Sequence, residues 1–208
     1  MTEEKPQILI IHGGTTFKNE KDYLNFLKNK KIRIDKNEYW SNEYLNKKLG
    51  KKSQIIRLRM PLKENAKYRD WKIHFERYFP FLKNNIILIG TSLGGIFLAK
   101  YLSENKFPKK ILATYLVAPP FDNSSIGEDL VGGFELGKDL TKLKENSCKL
   151  KLLFSKNDDC VPIEHAEKYR EKLDDKDIEI YNHIKGHFSV PELPEIVEMI
   201  KEDLKSLK

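Results

Sequence analysis

Ser92 stands in Gly90-Thr91-Ser92-Leu93-Gly94, directly after the apolar run Ile86-Ile87-Leu88-Ile89 and ahead of an apolar stretch over 96–102. A serine between a strand and a helix sits on a sharp, strained turn that exposes its hydroxyl. Glycines on either side remove side-chain carbons that so tight a turn cannot hold. The helix that follows points unpaired N–H groups back at the serine. The chemistry this suits is nucleophilic attack by the Ser92 hydroxyl. Such a hydroxyl needs a base, and the base needs a third group to orient it. The segment Ser155-Lys156-Asn157-Asp158-Asp159-Cys160-Val161-Pro162 offers a carboxylate at Asp158 or Asp159. The segment Lys185-Gly186-His187-Phe188 offers an imidazole at His187. Other histidines fit less well. His183 reads as a strand-end residue facing solvent, and His165 falls in a helix too close to the aspartate loop to face it across a site. His74 lies on an amphipathic helix. Asp122 is the remaining acidic alternative.

Attack on an acyl carbon builds negative charge on oxygen, and two backbone N–H groups must hold it. Leu93, the residue after the serine, supplies one. The second is expected from His12-Gly13-Gly14-Thr15, with Gly14 as the donor and Thr15 as the alternative. His12 reads as a hydrogen-bonding support of that loop. This chemistry calls for no metal and no organic cofactor.

The elements that must position these residues read as an α/β alternation. Strands are expected over 7–11, 55–58, 86–89, 111–117, 150–154 and 178–181. Helices are expected over 22–30, 39–49 and 67–78, from the serine to about 104, over 163–173, and from Pro194 onward. Such an order implies one three-layer α/β/α domain over residues 1–208, with a mostly parallel six-stranded sheet. Parallel sheets carry their chemistry on loops at the carboxyl ends of strands, where all three residues fall. The chain order Ser92, Asp158, His187 is that of α/β-hydrolases.

Two segments are open to more than one reading. Residues 121–137 are rich in Gly, Ser and Asp, which suggests a lid over Ser92 hinged at Gly127, Gly132, Gly133 and Gly137. Phe121, Val131 and Phe134, with Leu130, would then line an acyl pocket. The competing reading is a plain connection whose apolar residues tuck into the core. Residues 17–50 hold Tyr23, Phe26, Tyr39, Trp40 and Tyr44. These aromatics are expected to cover the sheet, and the alternative is a partner-binding surface.

The totals exclude several classes. At 208 residues with 39% hydrophobic content the chain can bury a core, and no apolar run reaches the roughly 18 residues that span a bilayer. A net charge of +7 raises the question of nucleic acid, but the lysines are spread among glutamates and aspartates, with no arginine stripe or aromatic stacking platform. The start, Met1-Thr2-Glu3-Glu4-Lys5-Pro6, does not read as a signal peptide. Cys148 and Cys160 suggest a reducing, cytoplasmic setting and are expected as small buried residues.

His12-Gly13-Gly14, Met60-Pro61, Trp71, Gly90-Thr91-Ser92-Leu93-Gly94-Gly95, the 155–162 segment and Gly186-His187-Phe188 together resemble small serine hydrolases of the retinoblastoma-binding-protein-9 and YdeN type. The resemblance runs from Gln7 onward. It selects Asp158, three places before the Val of Val-Pro, and the histidine of Gly-His-Phe, His187. It implies a compact α/β-hydrolase fold without a large cap domain and a weak or poorly defined esterase activity. Two departures stand out. Residues 17–50 are long for the first crossover, and no L-x-C-x-E sequence supports a retinoblastoma-protein partner. The expected function is hydrolysis of small carboxylic esters or related acyl compounds. Acyl transfer by the same triad is the alternative, and the expected partner is a small-molecule acyl substrate.

Overall fold

The computed structural model describes residues 5–32, 34, 39–123 and 130–207. Gly127 and the first four residues lie outside them. Six apolar segments form strands: β1 (Gln7–Ile11), β2 (Gln54–Leu58), β3 (Ile86–Thr91), β4 (Ile111–Val117), β5 (Leu150–Asn157) and β6 (Ile178–Lys185). They make one sheet in the order β2-β1-β3-β4-β5-β6, and every neighbouring pair is parallel. Parallel neighbours need a crossover between them, and helices supply it: α1 (Glu20–Asn29), α2 (Leu45–Leu49), α3 (Tyr68–Glu76), α4 (Leu93–Glu104), α5 (Thr141–Glu145) and α6 (Glu164–Arg170), while α7 (Pro194–Lys205) follows the last strand.

Alternate residues of each strand point to opposite faces, and both faces are covered. Leu9, Ile11 and Leu88 pack with Trp71 and Phe75 of α3, Phe97 of α4 and Tyr169 of α6. Ile8, Ile10 and Ile89 pack with Trp40, Leu45 of α2 and Ile196 and Ile200 of α7. Strands with no polar face explain the continuous apolar runs in the sequence. The strand order reverses direction between β1 and β3, which leaves a crevice at their carboxyl ends. His12-Gly13-Gly14 directly follows β1, and Ser92 directly follows β3.

The expected 39–49 helix is split. Residues Trp40–Tyr44 wind as a π-helical turn before α2 begins. Arg57 of β2 donates to the Ser41 and Asn42 carbonyls of this turn, both at 2.8 Å. Both cysteines are exposed rather than buried, because Cys148 precedes β5 and Cys160 follows it, each on a surface turn.

Candidate active site

Ser92 adopts φ 52° and ψ −122°, a region that costs a side-chain-bearing residue on the order of 1–3 kcal/mol. The turn is held in place by neighbours. Its N–H donates to Val117 O at 2.8 Å, and its carbonyl accepts from Gly95 N–H at 2.7 Å. Residue 94 has no room for a side chain, since a Cβ there would lie 2.6 Å from His12 O. That close approach brings the β1 loop against the start of α4.

The β1 loop is clamped by its histidine. The Met60 N–H donates to His12 Nε2 at 3.0 Å, so the proton of the ring sits on Nδ1, which donates to Gly13 O at 2.6 Å. Burial lowers the pKa of His12, which keeps this tautomer neutral. Trp71 packs edge-on to the ring at 5.8 Å and donates from Nε1 to Pro61 O at 2.8 Å. His12, Met60-Pro61 and Trp71 are thus one support for Gly13 and Gly14. At residue 14 a Cβ would meet Lys63 O at 2.6 Å and the Leu93 side chain at 3.1 Å, so Gly14 and Leu93 are neighbours. The Thr15 N–H is committed to Lys63 O at 2.8 Å. Among the described residues, the N–H of Gly14 has no such backbone partner, and Leu93 is the first residue of α4, with no helical carbonyl a turn before its N–H.

Asp158 and His187 meet across the carboxyl ends of β5 and β6. His187 Nδ1 lies 2.8 Å from Asp158 Oδ2 and 3.0 Å from Oδ1. A carboxylate only accepts, so Nδ1 carries the hydrogen, and on a neutral ring the lone pair is on Nε2. The Asp158 side chain is 1% exposed, and its Oδ1 also accepts from the N–H groups of Cys160 and Val161, each at 2.9 Å. Buried Ser155 ties the two loops together, donating to Ile184 O at 2.6 Å. Asp159 is exposed and takes the Cys160 thiol instead, at 3.8 Å. Asp122 pairs with Lys168 at 2.6 Å, and His183 with Glu195 at 2.5 Å. His165 is wholly buried, with Nδ1 accepting from Phe121 N–H at 3.0 Å.

Ser92, His187, Gly13 and Gly14 line one cavity of about 480 Å³. Its remaining wall differs from the expectation. Phe121, Val131 and Phe134 do not line it. Phe134 is fully buried against Trp71 and Tyr68, Phe121 packs edge-on to Tyr169, and the Val131 N–H donates to Thr16 Oγ1. The wall comes from Phe26, Lys30, Tyr39, Trp40 and Ser41, with Lys63, Glu64 and Phe188. The signal for it was the unusual density of aromatics in residues 17–50. Nothing in the sequence pointed to Lys63, Glu64 or Cys160 as lining residues.

A six-stranded parallel sheet with helices on both faces and a serine on its β3 turn, without a cap among the described residues, is an α/β-hydrolase fold. The chain belongs to the serine hydrolase family, whose sequence profile matches residues 34–202. Among solved structures it is similar to the ydeN gene product of B. subtilis, at 22% identity and TM-score 0.75, over 97% of this chain and all of that one. It is also similar to a putative yden-like hydrolase from Pectobacterium atrosepticum, at 16% identity and TM-score 0.63, over 98% and 92%. An esterase from Pyrococcus furiosus is similar at 14% identity and TM-score 0.57, over 97% and 81%. Identities this low carry the fold and nothing finer. Among curated proteins, none matches the sequence. Among the described residues no helix is long and apolar enough to cross a membrane.

Proposed function

We propose that the protein hydrolyses small carboxylic esters or related acyl compounds through an acyl-enzyme on Ser92. The observation that carries this reading is the 2.8 Å bond from Asp158 to His187, which lines the same cavity as the positive-φ serine. His187 Nε2 takes the hydroxyl proton as Ser92 Oγ bonds to the acyl carbon. The carbonyl electron pair moves onto oxygen, where the N–H groups of Gly14 and Leu93 receive it. Collapse expels the alkoxide, which takes the proton from His187. Water then gives a proton to His187 and attacks the acyl carbon, and the acid leaves as Ser92 is restored. Asp158 holds the ring with its hydrogen on Nδ1 and stabilises the imidazolium while it exists.

A cavity of this size, with Phe26, Tyr39 and Trp40 on one side, suits a short acyl or aromatic group. The test is hydrolysis of a graded series of acyl esters by the wild type, Asp158→Asn and Asp159→Asn. Asp158→Asn is expected to lower kcat/KM about a hundredfold or more, with Asp159→Asn close to wild type. Equal losses at the two positions would remove Asp158 from the relay.

A further inference from the structure

Cys160 lies two residues past Asp158, is exposed, and lines the same cavity as Ser92 and His187. The relay described above uses only its backbone N–H, which any residue but proline would supply. Its side chain is therefore a nucleophilic, metal-ligating group that the reaction leaves unused. One ligand atom each from Asp158, Cys160 and His187 lies within 4.8 Å of the other two. A tetrahedral zinc site with bonds of about 2.0–2.3 Å has its donor atoms roughly 3.3–3.8 Å apart, so closing on a cation takes shifts of about 1 Å. Cys160 is exposed, and rotation about its side-chain bond moves the sulfur without moving the backbone that Asp158 holds.

We propose that Cys160, His187 and Asp158 form an inhibitory site for a thiophilic divalent cation of the zinc type, with water as the fourth ligand. The donor set selects the cation. A thiolate and an imidazole favour zinc and cadmium, whereas magnesium and calcium take oxygen ligands. On binding, the Cys160 thiol gives up its proton to solvent and sulfur bonds to the metal. His187 contributes a ring nitrogen. At Nδ1 the ring binds as its other neutral tautomer: the hydrogen moves from Nδ1 to Nε2, the bond to Asp158 opens, and Nε2 no longer offers a lone pair to the Ser92 proton. Coordination therefore stops proton transfer from the serine without touching the serine itself. The inhibition rests on the proposed relay, but the binding does not.

The experiment is a titration of the full chain with cadmium, followed by the sulfur-to-metal charge-transfer absorption and, separately, by the rate of fluorophosphonate labelling. The wild type should show the absorption saturating at one cadmium per chain. Labelling should slow at least tenfold relative to the metal-free rate, and a chelator should reverse both changes. Cys148→Ser, which removes the other thiol, should behave as wild type. Cys160→Ser and Cys160→Ala should lose the absorption, and cadmium should change their labelling less than twofold relative to their own metal-free rates. Ser92→Ala should keep the absorption, which separates the metal site from the hydrolase reading. His187→Asn should weaken binding tenfold or more. No absorption in the wild type, or its loss in Cys148→Ser rather than Cys160→Ser, would overturn the site. Absorption without slowed labelling in a wild type that labels would overturn the inhibition.

Discussion

Two long segments leave carboxyl ends of the sheet, one after β1 and one after β4, and they end in opposite places. The second, residues 121–137, has the composition of a mobile loop, yet two of its described residues join the core. Leu130 and Phe134 are 1% and 0% exposed, and Phe134 packs edge-on to Trp71 at 5.3 Å. Its described backbone is held by partners distant in sequence: Gly132 O accepts from Tyr68 N–H, and Glu135 O accepts from Lys100 Nζ. The first segment, residues 17–50, has the aromatic content of a core element, and half of it stays at the surface. Helix α1 has no buried residue, and Leu24 and Leu27 are 44% and 45% exposed. Its Phe26 packs on Phe17 and faces the cavity. Composition ranks segments by how much apolar surface they can bury. It does not say which one finds an unfilled space, and here that space lies over α3 and α4.

The largest expected effect is on stability in the second segment. Phe134→Ala should cost about 3–5 kcal/mol, seen as a lower urea midpoint, and leave the acyl chain-length profile of the surviving activity unchanged. A changed profile with little loss of stability would return this segment to the pocket. The mirror image holds for the first segment. Phe26→Ala should shift the ratio of kcat/KM for long and short acyl esters about tenfold, with a stability change under about 1 kcal/mol. An unchanged ratio would leave the aromatic wall without a role in substrate choice.

Smaller effects concern how each segment is anchored. The second begins where the Phe121 N–H donates to His165 Nδ1, and burial lowers the pKa of that ring. The folded protein therefore resists a proton that the unfolded chain accepts below about pH 6.5. Stability from this group is complete above that pH and is lost as pH falls toward the lowered folded value. Thermal melts at neutral and mildly acidic pH should show a larger drop for wild type than for His165→Gln, by about 2–4 °C per kcal/mol removed. Equal drops would show that His165 is not the group responsible. The first segment is tied by Lys30 to Glu64 at 3.3 Å, a pair 47% and 33% exposed. Lys30→Ala should change stability by less than about 1 kcal/mol, and a larger loss in urea melts would mean that the segment is held more tightly than its exposure implies.

The same contrast explains what could be read in advance. The inner strands were legible because a strand buried on both faces is mostly apolar, as Ile86-Ile87-Leu88-Ile89 is, and the edge strands β2 and β6 by shorter apolar stretches such as Ile55-Ile56. The Gly-x-Ser-x-Gly turn was legible because its glycines answer to backbone contacts within a few residues and to the adjacent β1 loop. Helix α5 was missed, since five residues with only Leu143 buried show no period. The π-helical turn was missed because its side-chain partner, Arg57, comes from a strand later in the chain. The cavity wall depends on where α1 and Trp40 settle, and no local pattern encodes that. Cys160 was read as buried because cysteines usually are, whereas the turn that positions Asp158 leaves it at the surface.

The central claim is that Ser92 is the nucleophile of this fold. The direct measurement is brief reaction of the full chain with a fluorophosphonate, followed by peptide mass mapping of the adduct. One adduct per chain on the peptide bearing Ser92, and none in Ser92→Ala, is the predicted result. An adduct on another serine, or undiminished labelling of Ser92→Ala, would contradict it.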